Sequence, residues 1–134
     1  YNSGGNFIVT AGFTTGESGI YKIQTSNLTL SPILTTTSTV PGISGATFSV
    51  FGNPVLNNNN DLAVSAIVTG TGFSTSNNQG IWLINGNGTS SLRVRKGQVN
   101  TDGTIFAEIG APALNNNGWN KIGIRNFENS DRYF

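Results

Sequence analysis

The segment from Phe48 to Asn59, Phe-Ser-Val-Phe-Gly-Asn-Pro-Val-Leu-Asn-Asn-Asn, returns from Phe106 to Asn117 as Phe-Ala-Glu-Ile-Gly-Ala-Pro-Ala-Leu-Asn-Asn-Asn. Phe48 and Phe106, Gly52 and Gly110, Pro54 and Pro112, and Leu56 and Leu114 all stand 58 residues apart. Upstream, Gly19-Ile-Tyr matches Gly80-Ile-Trp and Gly42 matches Gly103, both at a separation of 61. One deletion of three residues in the loop-like stretch Ile43 to Thr47 reconciles the two separations. Further upstream, Asn6-Phe-Ile-Val-Thr-Ala matches Asp61-Leu-Ala-Val-Ser-Ala. An ordered series of matches, with length changes confined to loops, marks a supersecondary unit written twice. A third copy starts near Asn117 and runs through Ile122 and Ile124 toward Phe127. The chain of 134 residues is therefore expected to be one β domain, 1–134. It divides into a first unit at about 5–58, a second at about 59–116 and a partial third at 117–134.

Each unit reads as strands. Phe7, Val9, Ala11 and Phe13 alternate with Ile8 and Thr10, and Leu62, Val64, Ala66 and Val68 alternate with Ala63, Ser65 and Ile67. Leu92 and Val94 alternate with Arg93 and Arg95. A period of two is the signature of a strand, because successive side chains point to opposite faces. Asn85-Gly86, Asn87-Gly88 and Asn117-Gly118 suit turns that need positive φ. Pro54 and Pro112 remove a ladder donor and mark a strand edge or bend. Gly52 and Gly110, two residues earlier, allow a bulge or tight bend. The asparagine runs after Leu56 and Leu114 suit loops that bond their own backbone. The expected fold is all-β: antiparallel sheets from two tandem repeats of about four strands each, plus a trailing strand. The sheets form either propeller-like blades or a β-sandwich. Eight or nine strands are expected, with Phe7, Val9, Leu62, Val64, Ile81, Leu92, Val94 and Phe106 buried.

Composition restricts the chemistry. Charged residues make up 10% of the chain, against an ordinary share of about 25%. The net charge of +1 gives no electrostatic case for nucleic acid. The basic cluster Arg93, Arg95 and Lys96 reads as the solvent face of a strand. There is no His, Cys or Met, so a Ser-His-Asp triad, thiolate chemistry and the commonest metal ligands are excluded. Six carboxylates remain, Glu17, Asp61, Asp102, Glu108, Glu128 and Asp131. A glycosidase needs two of them across a cleft, and nothing in the sequence pairs any two. Asn100-Thr-Asp-Gly103 reads as an ordinary turn rather than a calcium loop, since the other oxygen ligands are missing. No catalytic, cofactor-binding or metal-binding residue is expected. No apolar run approaches the roughly 18 residues of a membrane span. The start at Tyr1, without Met, is expected for a mature or trimmed product.

The pattern Phe-x-x-Phe-Gly-x-Pro-x-Leu-Asn-Asn-x-x-Asp-Leu-Ala-Val from Phe48, followed by Asn-Asn-Gln-Gly-Ile-Trp ending at Trp82, resembles the Asn-x-x-Gly-x-x-x-Phe tandem repeats of secreted or surface-anchored bacterial proteins. Val40-Pro41-Gly42 stands where that family has Ala-Pro-Gly. The second unit departs, with Thr101-Asp102-Gly103 there. Asn115-Asn-Asn-Gly118 keeps the family's Asn-x-x-Gly, whereas Asn57-Asn-Asn-Asn60 does not. The resemblance implies a β architecture, propeller-like or sandwich, outside the cell. It implies no activity.

Three functions are then open. The first is a non-catalytic, self-assembling extracellular or cell-surface subunit of a filament, sheath or matrix. The second is a carbohydrate-binding module of an adhesin, in which Tyr21 and Trp82 would stack on sugars. The same two residues also read as core or inter-sheet fillers. The third, an enzyme acting on glycans, has the least support. For the first, the apolar residues of the last segment, Ile122, Ile124, Phe127, Tyr133 and Phe134, are candidates for an inter-subunit strand. Folding of that segment back onto its own N-terminal unit is the competing expectation.

Overall fold

The alternating segments fold as strands, and the Gly- and Asn-rich segments turn between them. The computed structural model describes the backbone of residues 5–116, 120–126 and 131–133, and the side chains of residues 5–116. Within these the fold is all-β, with no helix. The strands in chain order are β1 (Asn6–Gly12), β2 (Ser18–Gln24), β3 (Thr29–Thr35), β4 (Thr47–Phe51), β5 (Val55–Leu56) and β6 (Leu62–Thr69). They continue as β7 (Gln79–Ile84), β8 (Ser90–Arg95), β9 (Phe106–Leu114), β10 (Asn120–Asn126) and β11 (Asp131–Tyr133). The excess over eight or nine comes partly from β5, a two-residue strand split from β4 at Gly52 to Pro54. Gly52 still donates its N–H to Ser65 O at 2.8 Å. A Cβ at Gly52 would meet the Ser65 hydroxyl, so a larger residue here would require the Ser65 side chain to shift.

All pairings are antiparallel and form three open sheets: β1-β2-β3, then β4-β6-β7-β8 with β5 also on β6, then β9-β10-β11. The strands do not stay with the meander they follow. β4 comes after β1-β2-β3 in the chain but hydrogen-bonds to β6. β9 comes after β6-β7-β8 but hydrogen-bonds to β10. Each of these crossing strands carries one of the paired phenylalanines, Phe48 or Phe106, and both rings are buried.

The sheets stack face to face, with the second in the middle. Ile81 and Trp82 are neighbours in β7, so their side chains leave on opposite faces. Trp82 joins Ile20, Leu34, Phe48, Leu62, Val64, Ala66, Val68 and Ile84 in a core between the first and second sheets. Ile81 joins Val94, Phe106 and Ile109 in a core between the second and third. The two cores share a plan: Ile20, Leu34 and Phe48 meet in one, and Ile81, Val94 and Phe106 in the other. Registers slip at matching places too. Ile33 is the extra residue opposite the Ile20–Tyr21 step, and Arg93 is the extra residue opposite Ile81–Trp82. Ser49 and Ala107 are the extra residues after Phe48 and Phe106. These are β-bulges, and a further irregularity falls at the expected glycines: Gly110 and Ala111 stand against the single residue Gly123, and the ladder breaks between β4 and β5 at Gly52 to Pro54.

Three of the expected core residues sit differently. Phe7 is 43% exposed and Val9 is half-buried. Among the described residues the face of the first sheet that packs toward the second sheet is the one carrying Ile8 and Ile20. Phe7 and Val9 lie on the other face. Leu92 is half-buried against the first core, while Val94 belongs to the second. The bulge at Arg93 sends the two residues to opposite faces despite their spacing of two. The remaining five, Leu62, Val64, Ile81, Val94 and Phe106, are buried.

Truncating Phe106 to Ala removes the shared strand's anchor. The expected cost is about 3–5 kcal/mol, the range for a buried aromatic. Val50→Ala, at a position 53% exposed in β4, is expected to cost less than about 0.5 kcal/mol. Denaturant unfolding measures both, and equal costs would refute the placement of Phe106 in a core.

Candidate interaction surface

Trp82 lies at the centre of the stack. Its ring is fully buried, its Nε1–H donates to Pro41 O at 2.9 Å, and Phe48 packs edge-on to it at 5.0 Å. Gly42, with φ of 77°, lets the Val40–Ile43 loop close over Leu92 beside it. A sugar would need an open ring face, so Trp82 is a core residue and not a stacking platform. Tyr21 stands at the matching place in the first sheet and is 4% exposed. Here the cover is local: Phe13 lies edge-on at 5.3 Å. The Tyr21 hydroxyl donates to Glu17 Oε1 at 3.0 Å. Burial, then the hydrogen bond to Glu17, then the Glu17 charge raise the phenol's pKa above its ordinary value. Neither residue offers a glycan an exposed ring.

The asparagine runs form a clip between units. The Asn57 side chain is buried at 3% exposure. Its Oδ1 accepts from the N–H groups of Asn59 and Asp61, both at 2.9 Å. Its Nδ2 donates to Asp61 Oδ2 at 2.9 Å and to Asn115 O at 3.1 Å. The Asn58 N–H donates to Asn116 Oδ1 at 2.9 Å, and Asn59 Nδ2 donates to Asn116 O at 2.8 Å. On the other side, Asn6 Nδ2 donates to Asn60 Oδ1 at 2.9 Å. Asparagines one repeat apart thus bond to each other as well as to their own loops. Asp61 is part of this framework, since its Oδ1 accepts from the Gly86 N–H at 3.0 Å. Asp102 is held in its turn, accepting from the Thr104 N–H at 3.0 Å and from Thr104 Oγ1 at 2.6 Å. Three of the carboxylates, Glu17, Asp61 and Asp102, are therefore engaged in structural bonds.

Between the first two sheets, at the asparagine end, is a cleft of about 280 Å³ whose lining includes Asn6, Ile8, Lys22, Leu56, Asn60 and Asn85. Among the described residues no aromatic ring lines it. The basic cluster is only partly a solvent face. Arg93 is exposed, but the Arg95 guanidinium lies 5.0 Å from the Phe73 ring centroid, and its Nε donates to Asn77 O at 3.0 Å.

Of the candidate inter-subunit residues, Ile122 and Ile124 lie on β10 and Tyr133 lies on β11. Phe127 and Phe134 lie outside the described residues. β10 pairs with β9 on one side and β11 on the other, so its hydrogen-bonding edges are both used within its own chain. The segment does fold back on its own chain, but onto β9 and not onto the N-terminal unit. Among the described residues each sheet ends in strands with a single partner, β1 and β3, β4 and β8, and β9 and β11, and β1 is one of them. Its counterparts β6 and β10 pair on both sides, whereas β1 pairs with β2 alone among the described residues. The first sheet's outer face is also apolar, with Phe7, Phe13 and Leu30 each 42–43% exposed.

These features define a stacked-sheet β protein whose units are joined by crossing strands and asparagine clips. A family model described as a family of unknown function (DUF7453) matches residues 2–120, and the chain belongs to that family. No curated protein and no solved structure matches the chain.

Replacing Asn57 by Ala removes the acceptor of the Asn59 and Asp61 N–H groups and the donor to Asp61 Oδ2 and Asn115 O. The expected loss is about 0.5–1.5 kcal/mol, the net worth of a typical hydrogen bond, because the partners left behind are exposed or half-buried. Thermal or denaturant unfolding reads it, and a loss below about 0.3 kcal/mol would show that the clip holds nothing.

Proposed function

We propose that this protein is a non-catalytic, extracellular structural subunit that assembles with further copies into a surface filament, sheath or matrix. The observation that carries this reading is the unequal pairing of equivalent strands. β6 and β10 each lie between two partners, and β1 has one among the described residues. An open sheet edge is a template for pairing with another chain. The composition agrees: there is no His or Cys for the commonest catalytic machinery, and 10% charge gives little repulsion between copies. A secreted setting fits a chain that needs no thiol.

The carbohydrate-binding alternative is favoured by one feature, the polar-rimmed cleft between the first two sheets with Asn6, Lys22, Asn60 and Asn85 on its wall. Asparagine amides and a lysine are suitable donors for hydroxyl-rich ligands.

Negative-stain electron microscopy of the purified chain separates the two. Assembly predicts elongated or sheet-like particles whose abundance rises with protein concentration. Dispersed single particles that are retained on immobilised polysaccharide would instead support the adhesin module and overturn the structural reading.

A further inference from the structure

The outer face of the first sheet can be compared, position by position, with the same face of the second. In the sequence match, Phe7 corresponds to Leu62, Val9 to Val64, Ala11 to Ala66, Phe13 to Val68 and Tyr21 to Trp82. In the second sheet all five are buried, at 2% exposure or less, because the first sheet and the crossing strand cover them. In the first sheet Phe13 is 43% exposed, and Val9 and Ala11 are half-buried. The strand register extends this face. Val9 lies opposite Tyr21, which lies opposite Pro32, and Ile23 lies opposite Leu30. Directly opposed residues share a face. Pro32 is exposed, Leu30 is 42% exposed and Ile23 is half-buried. The chain thus repeats, on its first sheet, an apolar face that it buries elsewhere with its own repeat.

We infer that this face, centred on Val9, Phe13, Ile23, Leu30 and Pro32, is the docking surface for a second copy of this chain, which seats its own sheet there as the first sheet seats on the second. The inference rests on the self-assembly reading above and names the surface that serves it. A second copy is the occupant because the internal interface already shows what fits. Ile20, Leu34 and Phe48 close on the second sheet's face, and Ile81 and Val94 meet Phe106 and Ile109 by the same plan. The third sheet stands at the opposite end of the stack from the first, so one copy's third sheet on the next copy's first sheet continues the series. That contact is heterologous: two different surfaces meet, and it propagates from copy to copy unless the rotation closes a ring. Among the described residues the one charged group against this face is Glu17, whose carboxylate already accepts from the Tyr21 hydroxyl, while Lys22 lies opposite Ile8 and Ser31 on the inner side.

Sedimentation velocity of the full chain over a hundredfold concentration range tests the inference. Phe13→Ser combined with Leu30→Ser alters the face at two exposed positions. Val99→Ser, 62% exposed in a loop, is the control. The wild type and the control are expected to gain mass with concentration, and the double variant to need at least about tenfold more protein for the same gain. Circular dichroism verifies that the double variant keeps its strands. As a readout that needs no variant, amide exchange in β1 and β2 of the wild type is expected to slow as concentration rises. If the double variant assembles like the wild type, or if protection rises elsewhere and not in β1 and β2, this face is wrong while self-assembly stands. A wild type that stays monomeric throughout overturns both the docking surface and the assembly reading.

Discussion

The handing of one strand from each unit to the next sheet is the constraint on which the rest of this structure depends. β4 belongs by sequence to the first unit and by hydrogen bonding to the second sheet, and β9 repeats the arrangement between the second sheet and the third. A unit of this kind cannot complete a sheet from its own residues. Its last strand stabilises its neighbour, so neighbouring units fold as an interlocked series rather than as independent beads. The buried phenylalanine on each crossing strand makes the coupling stronger than backbone hydrogen bonds alone would. Phe48 packs on Trp82 and shares one core with Ile20 and Leu34 of the first sheet, and burying a side chain of this size is worth about 1.5–3 kcal/mol. The asparagine clip adds a polar fastening at one end of the stack, where Asn57 reaches Asn115 across one full repeat.

Much of this was legible in the sequence, and the exceptions have physical causes. Alternation identified the strands and the residues that share a face. It does not say which face of a sheet will be covered. For the second sheet the question does not arise, because both faces are buried, and Leu62, Val64 and Ile81 lie where expected. For the first sheet it decides everything, and Ile8 rather than Phe7 faces the neighbouring sheet. Leu92 and Val94 show a different limit. One inserted residue, Arg93, changes the face of everything after it, and a bulge leaves no mark in the period of the pattern itself.

The candidate site was less legible than the fold. An aromatic at the same place in two repeats is compatible with a sugar platform or a core, and only burial distinguishes them. Trp82 and Tyr21 are both covered, by a neighbouring sheet in one case and by the turn carrying Phe13 and Glu17 in the other. The asparagine runs were read as loops that bond themselves. Asn57 does bond its own loop, but its amide also reaches the next unit, a contact that depends on how sheets stack and has no local signal. The last segment does form strands, and β11, which carries Tyr133, has a single partner among the described residues. β10 spends both edges inside the chain, and at the other end of the stack lie β1 and the apolar outer face.

The central claim is that the second sheet is the shared middle of an interlocked stack. Native-state amide hydrogen exchange tests it most directly, because exchange reports local opening free energies strand by strand. The account predicts that β6 and β7 exchange most slowly, together, and only through global unfolding, while β1 and β3 exchange faster through local opening. β4 should follow β6 and β7, not β1 to β3. If β4 instead exchanged in step with the first meander, or if β1 to β3 matched the protection of β6 and β7 in the isolated chain, the stack would not be organised around a shared middle sheet.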